Sequence, residues 1–147
     1  MTEIDNKVPK KRPEFRNINA FKDLPSYRLP AAGWVSILHR ISGAIMFLLL
    51  PLVIWMFDTS VSSEISFLKF KSVFNVGLLG LPGVIWKLLA LALIWAYLHH
   101  LLAGVRHLWM DARHAVSKEF GRSSAIATLA LGSALTLVLA LKLFGLY

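Results

Sequence analysis

The chain has 147 residues, the length of one domain, and 56% of them are hydrophobic, with a mean hydropathy of +0.62. A soluble domain of this size buries only about two-thirds of the surface that its unfolded chain exposes, so the surplus of apolar side chains indicates contact with lipid. The formal charge of +8 does not indicate nucleic-acid binding, because the basic residues are concentrated before residue 29 and beside apolar segments. The absence of cysteine excludes thiolate-held metal sites, disulfides and Cys-attached cofactors within these residues.

The first 30 residues predict a polar tail, rich in Lys and Arg but also containing acidic residues. No apolar signal-peptide region follows, and a transit peptide would be nearly free of acidic residues. We therefore expect the first apolar helix to act as its own insertion signal. This pattern favours a bacterial inner membrane over a mitochondrial one.

Residues 31–57 predict the first membrane span, with an uncharged apolar stretch from 41 onward. Pro51 lies inside this stretch and is expected to kink the helix. The segment 58–82 predicts a loop that contains a short amphipathic element at about 67–76.

Residues 84–110 and 125–146 predict the second and third spans, each about 20 or more apolar residues long. Between them we expect a polar loop at 111–122, broken by Gly121. The sequence thus predicts an all-α integral membrane protein, in which residues 31–147 form a three-span domain within a bundle that a partner subunit completes.

Orientation follows from the Lys and Arg residues, which concentrate in the tail and in the loop after the second span. Because cytoplasmic segments carry the excess of these residues, the N-terminus is expected in the cytoplasm and the C-terminus in the periplasm. The start of span one and the end of span two then meet at the cytoplasmic face.

A first polar cluster lies at the start of span one. Ser36 and Arg40 are four residues apart and share a helix face, and His39 lies close to it. A hydroxyl and a guanidinium on one face can donate hydrogen bonds to a quinone, and the cation stabilises negative charge on the reduced ring oxygen. The alternative is that Arg40 extends to the lipid headgroups.

A second polar cluster lies at the end of span two. His100, Gly104 and His107 fall at i, i+4 and i+7 on one stripe, with His100 about 10 Å deeper than His107. A deep imidazole beside a glycine suits a haem that stands edge-on, with its iron bound by His100. The alternative is a histidine that hydrogen-bonds a neighbouring helix. His99 points about 100° away and is expected to be structural or to face lipid.

The haem propionates would then lie toward the surface, where cationic and imidazole groups are available to neutralise them. The candidates are His39, Arg40, Arg106 and His107. Asp111 is expected either to pair with Arg106 or to cap the helix. Span three has no histidine and His39 lies too near the surface to oppose a deep ligand, so the second axial histidine is expected from a partner membrane subunit.

Two motifs resemble those of the cytochrome b556 subunits of succinate dehydrogenase. The segment Ser-Ile-Leu-His-Arg-Ile-Ser-Gly at 36–43 is similar to the first motif, and His-x-x-x-Gly-Val-Arg-His-x-x-x-Asp at 100–111 is similar to the second. Arg12-Pro13 resembles the dipeptide that opens the ordered region of the family. The resemblance covers the tail and all three spans.

The resemblance implies an anchor subunit of respiratory complex II, with a flavoprotein that oxidises succinate, an iron–sulfur subunit and a second small membrane subunit. His100 matches the position of the haem b axial ligand, and Ser36 and Arg40 match positions at the ubiquinone site. His39, Arg40 and His107 match positions near the propionates. The chain alone is expected to catalyse nothing. The rivals are the anchor subunit of a fumarate reductase and a haem-free helical scaffold or transporter.

Overall fold

The structure is a computed structural model that describes residues 19–23, 26–115 and 117–146. The expectations for Arg12-Pro13 and for most of the tail lie outside the described residues. In chain order, the helices and strands are α1 Ala20–Asp23, α2 Ala31–Leu48, α3 Leu50–Val61, α4 Glu64–Asn75, β1 Gly77–Leu78, β2 Leu81–Pro82, α5 Gly83–Arg113 and α6 Lys118–Leu143.

Three of these helices, α2, α5 and α6, are long and apolar enough to cross a membrane, and each packs against the other two. The core between them is small and centres on Val35, Ala103 and Ala125, which are fully buried. Large apolar side chains point outward instead, as Leu108 does with 70% of its surface exposed. A water-soluble protein rarely exposes so much contiguous apolar surface. The chain is therefore an all-α integral membrane protein with three transmembrane helices.

The first span is broken between α2 and α3. Leu49 leaves the helical conformation, with φ −93° and ψ 5°, and α3 resumes at the next residue. Pro51 lies in the first turn of α3, where its missing N–H would have no partner in any case. The kink expected at Pro51 is thus present as a break two residues earlier. Helix bounds do not locate the bilayer, so the predicted limit of this span at residue 57 stays a prediction.

The amphipathic element expected at 67–76 is α4, which begins three residues earlier. Its start is set by a capping box, in which the Ser63 hydroxyl accepts a hydrogen bond from the Ser66 N–H and the Ser63 N–H donates to the Ser66 hydroxyl. Such reciprocal caps satisfy N–H groups that the first turn leaves unpaired. α4 packs against α3 and α5.

A two-residue hairpin of β1 and β2 leads from α4 into α5. Leu79 and Gly80 form its turn and both have positive φ, as this tight turn requires. The first residue of α5, Gly83, is buried directly against the Phe74 carbonyl oxygen at the end of α4. The contact leaves no room for a side chain and fixes α4 across the start of α5.

The prediction of a polar loop at 111–122 is wrong, because α5 continues to Arg113 and α6 begins at Lys118. The Ser117 hydroxyl accepts a hydrogen bond from the Phe120 N–H and caps α6. Gly121 therefore lies inside a helix and breaks nothing. Local capping sets these helix ends, and it acts independently of the apolar pattern used to predict the spans at 84–110 and 125–146.

We predict that Gly83→Ala lowers the thermal stability of the protein, because the new methyl group overlaps the Phe74 carbonyl and forces α4 away from α5. Overpacking of this kind typically costs about 1–3 kcal/mol. Gly121→Ala is the matched control, since a methyl group there meets no atom within 4 Å and Ala favours helix. Heating followed by size-exclusion chromatography measures both midpoints, and equal midpoints would contradict the contact.

Candidate functional site

A group of polar and small residues lies where the start of α2 crosses the end of α5. We call it the histidine cluster, and its members are His39, Ser42, Gly43, His100, Gly104 and His107. The two helices are antiparallel neighbours, so residues early in α2 and late in α5 share one end of the bundle. The cluster therefore joins the two motifs that the sequence places about 60 residues apart.

The orientation of the His100 ring is fixed by α2. Its Nδ1 lies 3.1 Å from the His39 carbonyl oxygen, which can only accept, so Nδ1 carries the proton and donates. The Ser42 hydroxyl, which is fully buried, donates to the same carbonyl over 2.8 Å and lies 3.3 Å from Nδ1. This arrangement leaves the lone pair on Nε2 of His100 as the free basic group of the ring.

The three imidazoles of the cluster are close neighbours. The ring of His39 stacks on that of His100 with 4.0 Å between centroids, and its centroid is 5.5 Å from that of His107. Gly104 lies beside His39, since a Cβ at this position would make an ordinary contact of 3.8 Å with His39 Nε2. The ring next to Gly104 in this structure is thus that of His39.

Ser36 and Arg40 lie on α2 at the same end of the bundle. Ser36 is half-buried and Arg40 is exposed. Neither side chain takes part in a hydrogen bond or ion pair within the described part of the chain. The hydroxyl and the guanidinium are therefore both available to a ligand on this helix face.

Arg106 faces away from the histidine cluster. Its side chain is 9% exposed, and it donates through Nε to the Ser124 hydroxyl at 3.0 Å and through Nη2 to the Gly121 carbonyl at 3.1 Å. The pairing of Arg106 with Asp111 is wrong, because Arg106 binds α6 and the described residues contain no ion pair. The structure thus separates Arg106 from the other residues predicted to lie near propionates.

His99 is buried, with 2% of its surface exposed, and its ring stacks on Trp95 with 5.6 Å between centroids. The expectation that it is lipid-facing is therefore wrong, whereas its structural role stays a prediction, because its Nε2 is buried without a hydrogen-bond partner among the described residues. His99 lies one residue before His100 but packs inside the three-helix core, because successive residues on a helix are rotated by about 100°.

Sequence reasoning missed two members of the cluster, Ser42 and Gly43. A Cβ on Gly43 would lie 3.1 Å from Cε1 and 3.4 Å from Nδ1 of His100, so this glycine makes the approach of the ring possible. Both residues belong to the first motif. The signal that identifies Ser42 is its spacing of three residues from His39, which places its hydroxyl under a carbonyl of the preceding turn.

The chemistry of the cluster suits one class of metal group. No group of three or more His, Cys, Asp or Glu side chains in the described residues is placed to hold a bare ion. A haem needs less from the protein, because its porphyrin supplies the equatorial ligands and an imidazole completes an axial position. A histidine whose Nδ1–H is bonded to a backbone carbonyl presents Nε2 in the form that metal ligation requires. The residues present therefore fit a haem.

The fold and the cluster define a small membrane-anchor type of protein, with three apolar helices and polar chemistry at one end. The chain matches the family described as succinate dehydrogenase/fumarate reductase transmembrane subunit over residues 10–139. That match covers most of the chain, which therefore belongs to this family.

Three relatives support the assignment, and each is named succinate dehydrogenase cytochrome b556 subunit. The Coxiella burnetii protein is 36% identical over 70% of this chain and 78% of its own length. The Paracoccus denitrificans protein is 35% identical over 82% of this chain and 87% of its own. The Rickettsia felis protein is 26% identical over 80% of this chain and 81% of its own.

Proposed function

We propose that this chain is the cytochrome b anchor subunit of a succinate dehydrogenase, and that with a partner subunit it binds haem b and forms part of the ubiquinone-reduction site. The observation that carries the proposal is the hydrogen bond from His100 Nδ1–H to the His39 carbonyl, which leaves Nε2 as a ligand. The name that the three relatives share supports the assignment to a succinate dehydrogenase.

His100 is the proposed axial ligand, and the opposite ligand comes from the second membrane subunit. The haem, when bound, supplies a one-electron redox centre between the two subunits. Gly104 keeps the helix surface beside the ligand free of a side chain. His39, Arg40 and His107 are the groups proposed to lie near the propionates, because the His39 ring lies between those of His100 and His107 and Arg40 is the next residue on α2. The bonds of Arg106 to α6 favour a structural role for that residue instead.

Ser36 and Arg40 are the proposed quinone-site residues. Each offers hydrogen-bond donors that no described residue uses, and Arg40 adds a positive charge. A charge-assisted hydrogen bond to a ring oxygen becomes stronger as that oxygen gains electron density, so it favours the reduced form. Electrons would reach the quinone from an iron–sulfur subunit, while a flavoprotein subunit oxidises succinate.

We further propose that the complex lies in a bacterial inner membrane, with the N-terminus in the cytoplasm and the C-terminus in the periplasm. The bacterial relatives support the location, and the distribution of Lys and Arg supports the orientation. The protons for quinone reduction would then come from the cytoplasmic side.

The proposal is tested by purifying the complex in mild detergent and recording oxidised and reduced spectra together with its subunit composition. We expect a b-type haem spectrum and co-purification of a flavoprotein, an iron–sulfur protein and a second small membrane protein. A haem-free preparation would favour the scaffold or transporter alternative. Faster fumarate reduction than succinate oxidation would favour a fumarate reductase.

We predict that His100→Leu removes most of the haem, because leucine has no lone pair for the iron. The ratio of haem to flavin in the purified complex measures the loss and corrects for yield. His114→Asn is the matched control, since His114 is exposed and has the left-handed backbone conformation that Asn tolerates. An unchanged ratio and spectrum in His100→Leu would overturn the ligand assignment.

We predict that Gly43→Ala raises the haem midpoint potential without removing the haem. The methyl group presses on the His100 ring and weakens its bond to the His39 carbonyl, so the imidazole becomes a poorer donor to ferric iron. Partial loss of a hydrogen bond, about 0.5–1 kcal/mol, corresponds to roughly 20–40 mV in a one-electron potential.

Redox titration of Gly43→Ala measures this shift. Gly132→Ala is the control, because a methyl group there makes an ordinary contact of 3.6 Å with Leu102 on α5. If both variants have the potential of the unsubstituted protein, the carbonyl bond does not tune the ligand.

We predict that Arg40→Ala slows quinone reduction about ten- to hundredfold, the equivalent of one hydrogen bond to a charged group. Succinate oxidation with a soluble acceptor should persist, because the flavoprotein does not need the quinone site. Lys118→Ala removes an exposed charge at the same end of the bundle and should leave both rates unchanged. An unchanged rate of quinone reduction in Arg40→Ala would contradict the role of Arg40, whereas equal loss of both activities would indicate failed assembly.

A further inference from the structure

A groove lies between α5 and α6 on the side of α5 that faces away from the histidine cluster. It has a volume of about 350 Å³, and its walls are mostly apolar, with Leu102, Val105 and Leu131 among them. Arg106 lines the same groove. A buried cation in an otherwise apolar groove is the feature that requires explanation.

Arg106 carries a positive charge that no acidic group balances within the described residues. Two of its nitrogen atoms donate to uncharged oxygen atoms on α6, and a guanidinium has five N–H donors. With 91% of its surface buried, the residue loses most of the hydration that stabilises its charge. An anion that enters the groove would compensate for this loss.

The depth of Arg106 indicates which anion is at hand. It lies seven residues before the end of α5 at Arg113, or about 10 Å along the helix, at the end of the span that the sequence predicts to meet the cytoplasmic membrane surface. Trp109 lies between them, is 55% exposed, and its indole N–H has no acceptor in the described part of the chain. Indoles concentrate at headgroup level, where phosphate groups are the abundant anions.

A second cation lies beside the groove, since the guanidinium of Arg113 is 5.6 Å from the centre of the ring of Trp109, which lines it. The groove thus has positive charge and free N–H donors toward the surface, and apolar walls toward the membrane interior. Charge complementarity of this kind matches one molecule of anionic phospholipid, with its phosphate outward and an acyl chain inward.

We infer that Arg106 and Trp109 bind the phosphate of an anionic phospholipid whose acyl chain lies in the groove between α5 and α6. The lipid phosphate uses donors of Arg106 that α6 leaves free, and the acyl chain covers Leu102, Val105 and Leu131. This site does not depend on the haem or quinone proposal. It lies on another face of α5, because Arg106 is six residues after His100 and so about 120° around the helix.

The test compares the detergent-washed complex with its Arg106→Gln and Arg122→Gln variants by native mass spectrometry and phospholipid analysis. We expect the unsubstituted complex to retain a tightly held anionic phospholipid and Arg106→Gln to retain about tenfold less or lower still. Arg122→Gln removes an exposed charge at nearly the same depth on α6 and should retain the lipid. Retention by Arg106→Gln at the level of the unsubstituted complex would overturn the inference.

A second variant tests the groove without a change of charge. Ala127 is an exposed residue that lines the groove, so Ala127→Trp should fill it and also release the lipid. If Arg106→Gln assembles poorly, this variant still decides, because its retention of the lipid would show that the groove holds no acyl chain.

Adding single lipids or inorganic phosphate to the delipidated complex distinguishes an anionic phospholipid from other occupants of the groove. Phosphatidylglycerol should raise the unfolding temperature of the unsubstituted complex but not of Arg106→Gln, whereas phosphatidylcholine or inorganic phosphate should raise it much less. An equal rise of the unfolding temperature with inorganic phosphate would indicate a site for a free anion and would overturn the inference of a bound lipid. Loss of haem or of the second membrane subunit from Arg106→Gln, with the lipid retained, would instead assign Arg106 to the propionates or to a protein partner.

Discussion

The carbonyl oxygen of His39 is the point on which the arrangement of α2 and α5 depends. As a carbonyl within α2 it belongs to the backbone hydrogen bonding of the helix. It also accepts hydrogen bonds from the Ser42 hydroxyl and from His100 Nδ1–H. In a membrane, a polar group without a partner costs several kcal/mol, and the bond from the His100 ring on α5 to this carbonyl on α2 avoids that cost. Because Gly43 has no side chain, the His100 ring can come close enough to α2 to reach this carbonyl. One contact thus fixes the distance between two helices and the tautomer of the ring.

The rest of the bundle is built on the same constraint. Lipid surrounds apolar side chains as well as a protein core does, so helices in a membrane associate through close packing of small residues and through hydrogen bonds. The interfaces here contain Ala96, Ala103, Ala125 and Gly132, all buried. Arg106 adds the polar link between α5 and α6. The large apolar side chains are left to face lipid or a partner subunit.

The sequence predicted the class of fold and most of the cluster, because hydropathy and the spacing of intramembrane polar residues report directly on a membrane environment. It did not predict the early start of α4 or the short connection before α6, since these depend on the Ser63 and Ser117 caps. It grouped Arg106 with the propionate residues because spacing along one helix does not reveal where another helix lies. Ser42 was overlooked because a serine in a motif carries no charge to mark it.

Two pairs of adjacent residues on α5 place polar side chains on two different faces of the helix. His99-His100 and Arg106-His107 are seven residues apart, and seven residues return a helix to nearly the same face. One stripe therefore contains His100 and His107 and faces the histidine cluster. The other stripe contains His99 and Arg106, both buried in or beside the core. Polar residues that are close together in the sequence thus lie on two faces of α5. The first offers a free imidazole lone pair, and the second anchors α6.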